Sequence, residues 1–169
     1  MHDEPLPRLA SPSRLPDLGP RGEGWVIIQA ALFALLALAG TVGPAWGDPW
    51  LGAGRAAGSI FVGAGLVMAV LGLIGLRENL TAVPRPVDGG RLIDTGVYGL
   101  VRHPIYSGII IAAAGFGLVT ASLPALLVAL AFLLFFDLKA RREEAWLLGA
   151  YPAYATYRRR VRKLVPFVY

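Results

Sequence analysis

The chain has 169 residues, of which 56% are hydrophobic and only 16% charged, and this length indicates a single domain whose apolar excess is typical of a membrane protein. The absence of cysteine excludes disulfides and thiolate metal sites, and with only two histidines we expect no metal centre. The net charge of +5 does not predict nucleic-acid binding, because the basic residues flank apolar segments instead of interleaving with aromatic residues.

The N-terminal segment, residues 1–23, is rich in proline, arginine and acidic residues. Its prolines oppose helix formation, and it lacks the short apolar core and small-residue cleavage site of a signal peptide. The sequence therefore predicts a disordered cytoplasmic tail over residues 1–23 and a single membrane-embedded domain over residues 24–169.

Two apolar stretches follow, each about as long as a helix that crosses a bilayer. The first, residues 25–46, is apolar apart from Gln29 and Thr41, and the second, residues 56–76, carries no charge. Glycines at helical spacing in the second stretch favour close packing against another helix. The alternative is that its Gly63-Ala64-Gly65 element leaves room for a ligand.

A polar loop and an apolar hairpin complete the pattern. Prolines and glycines between residues 77 and 104 prevent a continuous helix, and loops of this length are usually functional or disordered. The apolar runs 105–120 and 123–136 predict a tight helical hairpin, with Pro124 in the first turn of the second arm. That arm is expected to continue to residue 148, a length of about 37 Å at 1.5 Å per residue.

The basic residues define the expected topology. Lysine and arginine concentrate on one side of the spans, and only Arg55 falls on the other, so the positive-inside rule puts both termini in the cytoplasm. The predicted fold is all-α: a polytopic transmembrane helical bundle of about four spans, with a C-terminal helical hairpin that extends into the cytoplasm. We expect a bacterial cytoplasmic membrane, although an endoplasmic reticulum membrane fits the same topology.

This topology brings two polar segments to one membrane face, the loop at residues 98–108 and the helix end at residues 141–144. Helical geometry places Glu143 and Leu147 on one face, with Glu144 about 100° around the helix. Ionisable residues at a mouth between helices are costly unless paired or functional. The charge pattern alone does not decide whether the two glutamates only pair with basic residues or are functional.

Separate sequence elements in the C-terminal half then occur in a recognisable order. They are GVY at residues 96–98, RHPIYSG at 102–108, EEAWL at 143–147, and YPAYATY at 151–157 with a closing Pro166. In this order they resemble the isoprenylcysteine carboxyl methyltransferase and phospholipid methyltransferase superfamily of membrane enzymes. The first span and the proline-rich tail carry none of the resemblance.

The resemblance implies an S-adenosylmethionine-dependent methyltransferase that acts on a lipophilic or membrane-embedded acceptor. The cofactor is expected between the loop and the helix with the glutamate pair, and the expected partners are the acceptor and membrane lipids, with no nucleic acid. The implied catalytic residues are His103 and Arg102. The implied cofactor-binding residues are Tyr98, Arg102, His103, Tyr106, Gly108, Glu143 and Glu144.

Each implied residue has chemistry that suits a contact with the cofactor or the acceptor. A glutamate would accept hydrogen bonds from ribose hydroxyls or pair with the ammonium group, and Arg102 would take the carboxylate as a charge-assisted fork. His103 would hold a polar group or a substrate proton, and the tyrosines would offer aromatic faces to a sulfonium or an adenine. Gly108 would leave the backbone open to close approach. Tyr154 and Tyr157 are instead expected to pack the C-terminal tail against the bundle.

Several functions compete with this interpretation. Within methyl transfer, phospholipid N-methylation, thiol S-methylation and prenylcysteine-type carboxyl methylation are not separated by the sequence. A sterol-reductase-like protein that uses NADPH would be expected to have a longer chain. A non-catalytic membrane relative would be expected to have lost some of the implied site residues, all of which are present.

Overall fold

The computed structural model describes residues 15–42, 46–87, 89–166 and 168–169, so most of the predicted tail lies outside the described residues. Every regular element in these ranges is helical, which confirms the all-α prediction. The helices are α1 (Glu23–Thr41), α2 (Trp50–Leu76), α3 (Pro104–Val119), α4 (Leu123–Ala150) and α5 (Tyr154–Arg160), with short 3₁₀ turns at Arg77–Asn79 and Gly96–Gly99.

Three helices, α1, α2 and α4, are long and apolar enough to cross a membrane. The apolar helix α3 has 16 residues, and its length of about 24 Å is somewhat less than the hydrocarbon core of roughly 30 Å. Large apolar side chains such as Ile27, Ile60 and Leu134 are exposed along these helices, on surfaces that lipid would cover. The chain is an integral membrane protein with about four spans, as the sequence predicts.

Two predicted boundaries were wrong. Helix α1 ends at Thr41, before the predicted end at residue 46, because the backbone of Val42 leaves the helical region, with φ of −118° and ψ of 81°. Helix α2 begins at Trp50 rather than residue 56. The prediction began the span after the charge of Arg55, but a charged residue near a helix end does not interrupt the helix.

The hairpin between α3 and α4 is as tight as predicted. Ala121 has a left-handed backbone, with φ of 51°, and the Ser122 side chain accepts a hydrogen bond from the Ala125 amide at 3.2 Å. The same hydroxyl donates to the Ala39 carbonyl at 2.7 Å and thereby ties the hairpin to α1. Helix α4 then runs unbroken to Ala150, which confirms the predicted extension.

Helices α2 and α3 approach each other closely through glycine. A Cβ added at Gly65 would lie 2.5 Å from the Gly108 carbonyl oxygen, and one added at Gly108 would lie 2.5 Å from that of Gly65. Close packing is therefore the role of Gly65, whereas Gly63 has open space around it. The cofactor contact implied for Gly108 is not supported, because the backbone of α2 occupies the space beside it.

We expect Gly65→Ala to destabilise the bundle by about 1–3 kcal/mol, because the added methyl group overpacks the α2–α3 contact. Gly63→Ala is the matched control and should be neutral or slightly stabilising, since alanine is the better helix former. Thermal unfolding of both variants in detergent measures the difference. Equal melting temperatures for the two variants would contradict the packing role.

The C-terminal segment holds the polar loop in place. The Arg102 amide donates to the Arg162 carbonyl at 2.8 Å, and the His103 amide donates to the Lys163 carbonyl at 3.1 Å. Ser107 Oγ donates to the Leu164 carbonyl at 2.6 Å. These bonds fix the start of α3 beside the end of α4, at what we call the polar end of the bundle: the loop 77–103, the last turns of α4, and α5.

Candidate active site

Two elements meet at the polar end, the loop that leads into α3 and the last turns of α4. Arg102 and His103 lie directly before Pro104, the first residue of α3, whose missing amide hydrogen costs nothing at that position. Their side chains reach across to Glu143 and Glu144 of α4. The loop and the glutamate pair therefore form one cluster, as the topology predicts.

Glu144 is the buried member of the glutamate pair. Its side chain is 3% exposed, and its Oε1 lies 2.8 Å from Arg102 Nη2 and 3.1 Å from His103 Nε2. Arg158 Nε lies 3.3 Å from the other carboxylate oxygen. The same guanidinium of Arg102 also donates to the backbone carbonyls of Arg158 and Val161. Glu144 thus joins the loop, α4 and the C-terminal segment, and contacts with protein groups account for four of the five N–H donors of Arg102.

Glu143 has a different environment. Its side chain is 26% exposed, and its Oε2 accepts a hydrogen bond from the Tyr106 hydroxyl at 2.7 Å. His103 Nδ1 lies 3.6 Å from the same oxygen. The Tyr106 ring stacks on the imidazole of His103, with ring centroids 5.3 Å apart. Glu143 is therefore oriented by its neighbours while part of it stays accessible.

Glu143 lines two adjoining cavities. The first is a narrow cleft of about 90 Å³ at the polar end, which we call the polar cleft after its position; it lies between the loop and the ends of α4 and α5, and Leu147 also lines it. The second is a cavity of about 440 Å³ among the apolar helices. Glu144 lines neither of them. The two share Leu76, Thr81, Tyr98, Arg102, His103 and Glu143, and we call this shared region the junction.

One of the side chains that line the cleft has a polar atom without a hydrogen-bond partner. The Tyr154 side chain is fully buried, and within the described part of the chain its hydroxyl forms no hydrogen bond. The Tyr157 hydroxyl, by contrast, donates to the Tyr98 carbonyl at 2.7 Å. A buried hydroxyl without a partner costs free energy, so the Tyr154 hydroxyl is suited to a ligand with polar groups. Both rings also pack α5 against the bundle, as the sequence predicts.

Tyr98 closes one side of the junction. Its hydroxyl donates to the Gly72 carbonyl at 3.1 Å, which fixes the loop against the end of α2. Burial raises the pKa of the Tyr98 phenol well above its ordinary value, and the nearby Glu143 carboxylate raises it further. The phenol is therefore neutral at physiological pH and serves as a donor and an aromatic surface, not as a base.

The structure brings six of the seven implied cofactor residues to the cluster, and only Gly108 lies apart. Sequence reasoning missed Lys139 and Gln29, which line the larger cavity and are hydrogen-bonded to each other at 2.7 Å. The signals were present: Lys139 precedes Glu143 by one helical turn, and Gln29 is one of two polar residues in the first apolar stretch. Tyr154 and Arg91 of the cleft were not assigned to it either.

Comparison with known proteins identifies relatives. The phospholipid methyltransferase family profile matches residues 54–153. The nickel-cobalt-cadmium resistance protein NccN of Alcaligenes xylosoxydans xylosoxydans is 29% identical over 165 residues, which cover 95% of this chain and 72% of NccN. The cobalt-zinc-cadmium resistance protein CzcN of Cupriavidus metallidurans is 38% identical over 76 residues, which cover 44% of this chain and 35% of CzcN.

Proposed function

This chain belongs to the phospholipid methyltransferase family, and we propose that it is an S-adenosylmethionine-dependent methyltransferase acting on a lipophilic acceptor. The observation that carries the proposal is the junction, where Glu143 lines both the polar cleft and the larger cavity among the helices. Arg91, Glu143 and Tyr154 of the polar cleft offer polar groups to a soluble cofactor, and the mostly apolar side chains of the larger cavity, among membrane helices, suit a lipophilic acceptor.

The residues of the cleft fit the cofactor. When bound, S-adenosylmethionine supplies a methyl group activated by its sulfonium charge. Glu143 offers a carboxylate to ribose hydroxyls or to the ammonium group, and the free hydroxyl of Tyr154 offers a further hydrogen bond. Arg91 is exposed and lines the cleft, so we assign it the carboxylate contact that the resemblance implied for Arg102. Arg102 becomes a positioning residue.

The narrowness of the cleft has a consequence for binding. A volume of about 90 Å³ is too small for a drug-sized ligand, for which roughly 300–1,000 Å³ is typical. We therefore propose that the part of the loop with Pro84, Pro86 and Arg91, which forms one wall of the cleft, moves outward when the cofactor enters.

His103 is the candidate for proton transfer at the junction. Its Nε2 is held by Glu144, and its Nδ1 faces Glu143 and the cavities. A carboxylate acceptor needs no base, whereas a thiol or an amine must lose a proton, and a histidine at the junction can accept it. The stacked rings of Tyr106 and Phe136 keep water from the apolar side of this group.

The names of the relatives refer to metal resistance, but they do not lead us to propose a metal site. Across the residues that the structure describes, no three histidine, cysteine, aspartate or glutamate side chains come together as a metal-binding group. We therefore propose a methyltransferase function only.

Methyl transfer to an acceptor panel tests the function. The full-length protein in uncharged lipid vesicles is given methyl-labelled S-adenosylmethionine with phosphatidylethanolamine, a long-chain thiol or a long-chain carboxylate. Label is expected in the organic extract with one acceptor class and is expected to fall at least tenfold with Glu143→Gln. The absence of label with all three acceptors, or equal label with wild type and Glu143→Gln, would overturn the proposal.

Tyr154→Phe should separate ligand binding from stability. It removes a buried hydroxyl that has no partner, so the melting temperature should hold or rise, whereas affinity for S-adenosylhomocysteine should fall about fivefold, the equivalent of one hydrogen bond of about 1 kcal/mol. Tyr157→Phe is the matched control, because it removes a hydroxyl that is bonded within the protein and should lower the melting temperature. Calorimetric titration and thermal unfolding measure both effects; unchanged affinity in Tyr154→Phe would remove this residue from the site.

A further inference from the structure

The larger cavity contains a buried cation that Glu143 attracts from one helical turn away but that forms no direct ion pair among the described residues. Lys139 is 2% exposed, and its ammonium nitrogen donates to Gln29 Oε1 at 2.7 Å. Among the described residues, no carboxylate forms an ion pair with it. An ammonium group has three hydrogen-bond donors, so two remain without an acceptor.

Such an arrangement is energetically costly. Burying a charge is unfavourable unless the charge is paired, and a neutral amide offers only a partial replacement for a carboxylate. The Tyr106 ring, whose centroid lies 5.3 Å from Lys139 Nζ, contributes a cation–π interaction. Neither contact supplies the negative charge that a buried ammonium favours most.

The rest of the cavity is suited to a hydrocarbon. Most of the other side chains that line it are apolar, and they come from α1, α2, α3 and the loop after α2: Val26, Leu73, Leu80, Ile105 and Ile109. Its volume of about 440 Å³ is within the range of small-molecule sites. The cavity therefore combines mostly apolar walls with the ammonium group of Lys139, the pattern that complements an anionic amphiphile; Arg102 and Glu143 line it at the junction.

The position of the cation relates it to the junction. Lys139 precedes Glu143 by four residues on α4, so the two side chains lie on the same face, about 6 Å apart along the helix axis. A group held by Lys139 would lie one helical turn from the junction, on the side away from the polar cleft.

We propose that Lys139, held by Gln29, is the head-group subsite of the larger cavity, and that its ligand is an amphiphile with an anionic group, a phosphate or a carboxylate. Naming this ligand as the methyl acceptor rests on the proposed function. Binding of the anion to Lys139 does not. A lysine serves as a compact point charge for either anion, so the cavity accepts both chemistries in principle.

Binding of simple amphiphiles tests the subsite. The full-length protein in an uncharged detergent is titrated with dodecyl phosphate, laurate and dodecanol. The anionic probes are expected to bind at least tenfold more tightly than dodecanol, and the tighter of the two identifies phosphate or carboxylate as the preferred group. Equal affinity for dodecanol and both anions would overturn the proposal without the need for any variant.

Variants then assign the effect to one residue. Lys139→Met removes the charge but keeps an unbranched side chain only one atom shorter, and it should weaken the anionic probes at least tenfold with dodecanol unchanged, while Lys139→Arg should retain most of the affinity. Arg159→Met is the matched control, because it removes a positive charge from the exposed surface of α5 and should change nothing. Anion affinity that is the same in Lys139→Met and wild type would contradict the subsite.

A parallel titration with S-adenosylhomocysteine separates the two proposals. Lys139→Met is expected to keep its affinity for this product, because Lys139 does not line the cleft. Anion binding that depends on Lys139, in a protein that does not bind the product, would support the subsite and refute the proposed function. Product binding without any dependence of anion affinity on Lys139 would refute the subsite and leave the function intact.

Discussion

Glu143→Gln is expected to weaken the binding of S-adenosylhomocysteine about 10- to 100-fold without lowering the melting temperature. The side chain is 26% exposed and lines both cavities, and the substitution keeps its size and one acceptor oxygen for the Tyr106 hydroxyl. What is lost is the charge, and a hydrogen bond to a charged group contributes about 1.5–3 kcal/mol. That free energy corresponds to the stated range of affinity.

Calorimetric titration of the purified variant measures this loss, and thermal unfolding shows that the fold is kept. Glu78→Gln is the matched control, because it makes the same chemical change at an exposed residue that lines neither cavity. Affinity in Glu143→Gln equal to that of the control would exclude Glu143 from the site.

Glu144→Ala, one residue further along α4, should have the opposite consequence and destabilise the protein by about 3–5 kcal/mol. Its carboxylate is 3% exposed and pairs with Arg102 and His103, both largely buried. Removing one partner of a buried ion pair leaves the remaining charge uncompensated, which is the main source of the loss. Because the loop and the C-terminal segment meet at this carboxylate, the polar end should loosen first.

Thermal unfolding in detergent, compared between Glu144→Ala and Glu143→Ala, gives the test. The two variants remove the same group from neighbouring positions, and only the buried one should show the large decrease in melting temperature. A Glu144→Ala protein that melts together with Glu143→Ala would contradict the structural role of this carboxylate.

The different environments of Glu143 and Glu144 show how much of the site the sequence can predict. Helical geometry placed Glu143 on the face of Leu147 and turned Glu144 away, and this follows from local spacing alone. Which of the two faces a cavity depends on what surrounds α4. The segment that encloses Glu144 pairs with the loop through an isolated bridge between Val101 and Arg162, and no periodic pattern announces such a contact.

Gly108 and Lys139 show two further limits. A glycine beside a motif is compatible with a ligand or with a neighbouring helix, and only the position of Gly65 in the folded chain decides between them. From the sequence, Lys139 is only one of the basic residues after the fourth span that indicate the topology. Its hydrogen bond to Gln29 joins residues 110 positions apart in the sequence, so its burial is a product of how α1 packs on α4.

The central claim is that the polar cleft binds S-adenosylmethionine, and calorimetric titration of the full-length protein tests it most directly. The detergent-purified protein is titrated with S-adenosylhomocysteine and, in parallel, with NADPH. We predict saturable binding of S-adenosylhomocysteine and no binding of NADPH. Binding of NADPH alone would assign the cleft to a reductase, and binding of neither compound would contradict a catalytic role for this site.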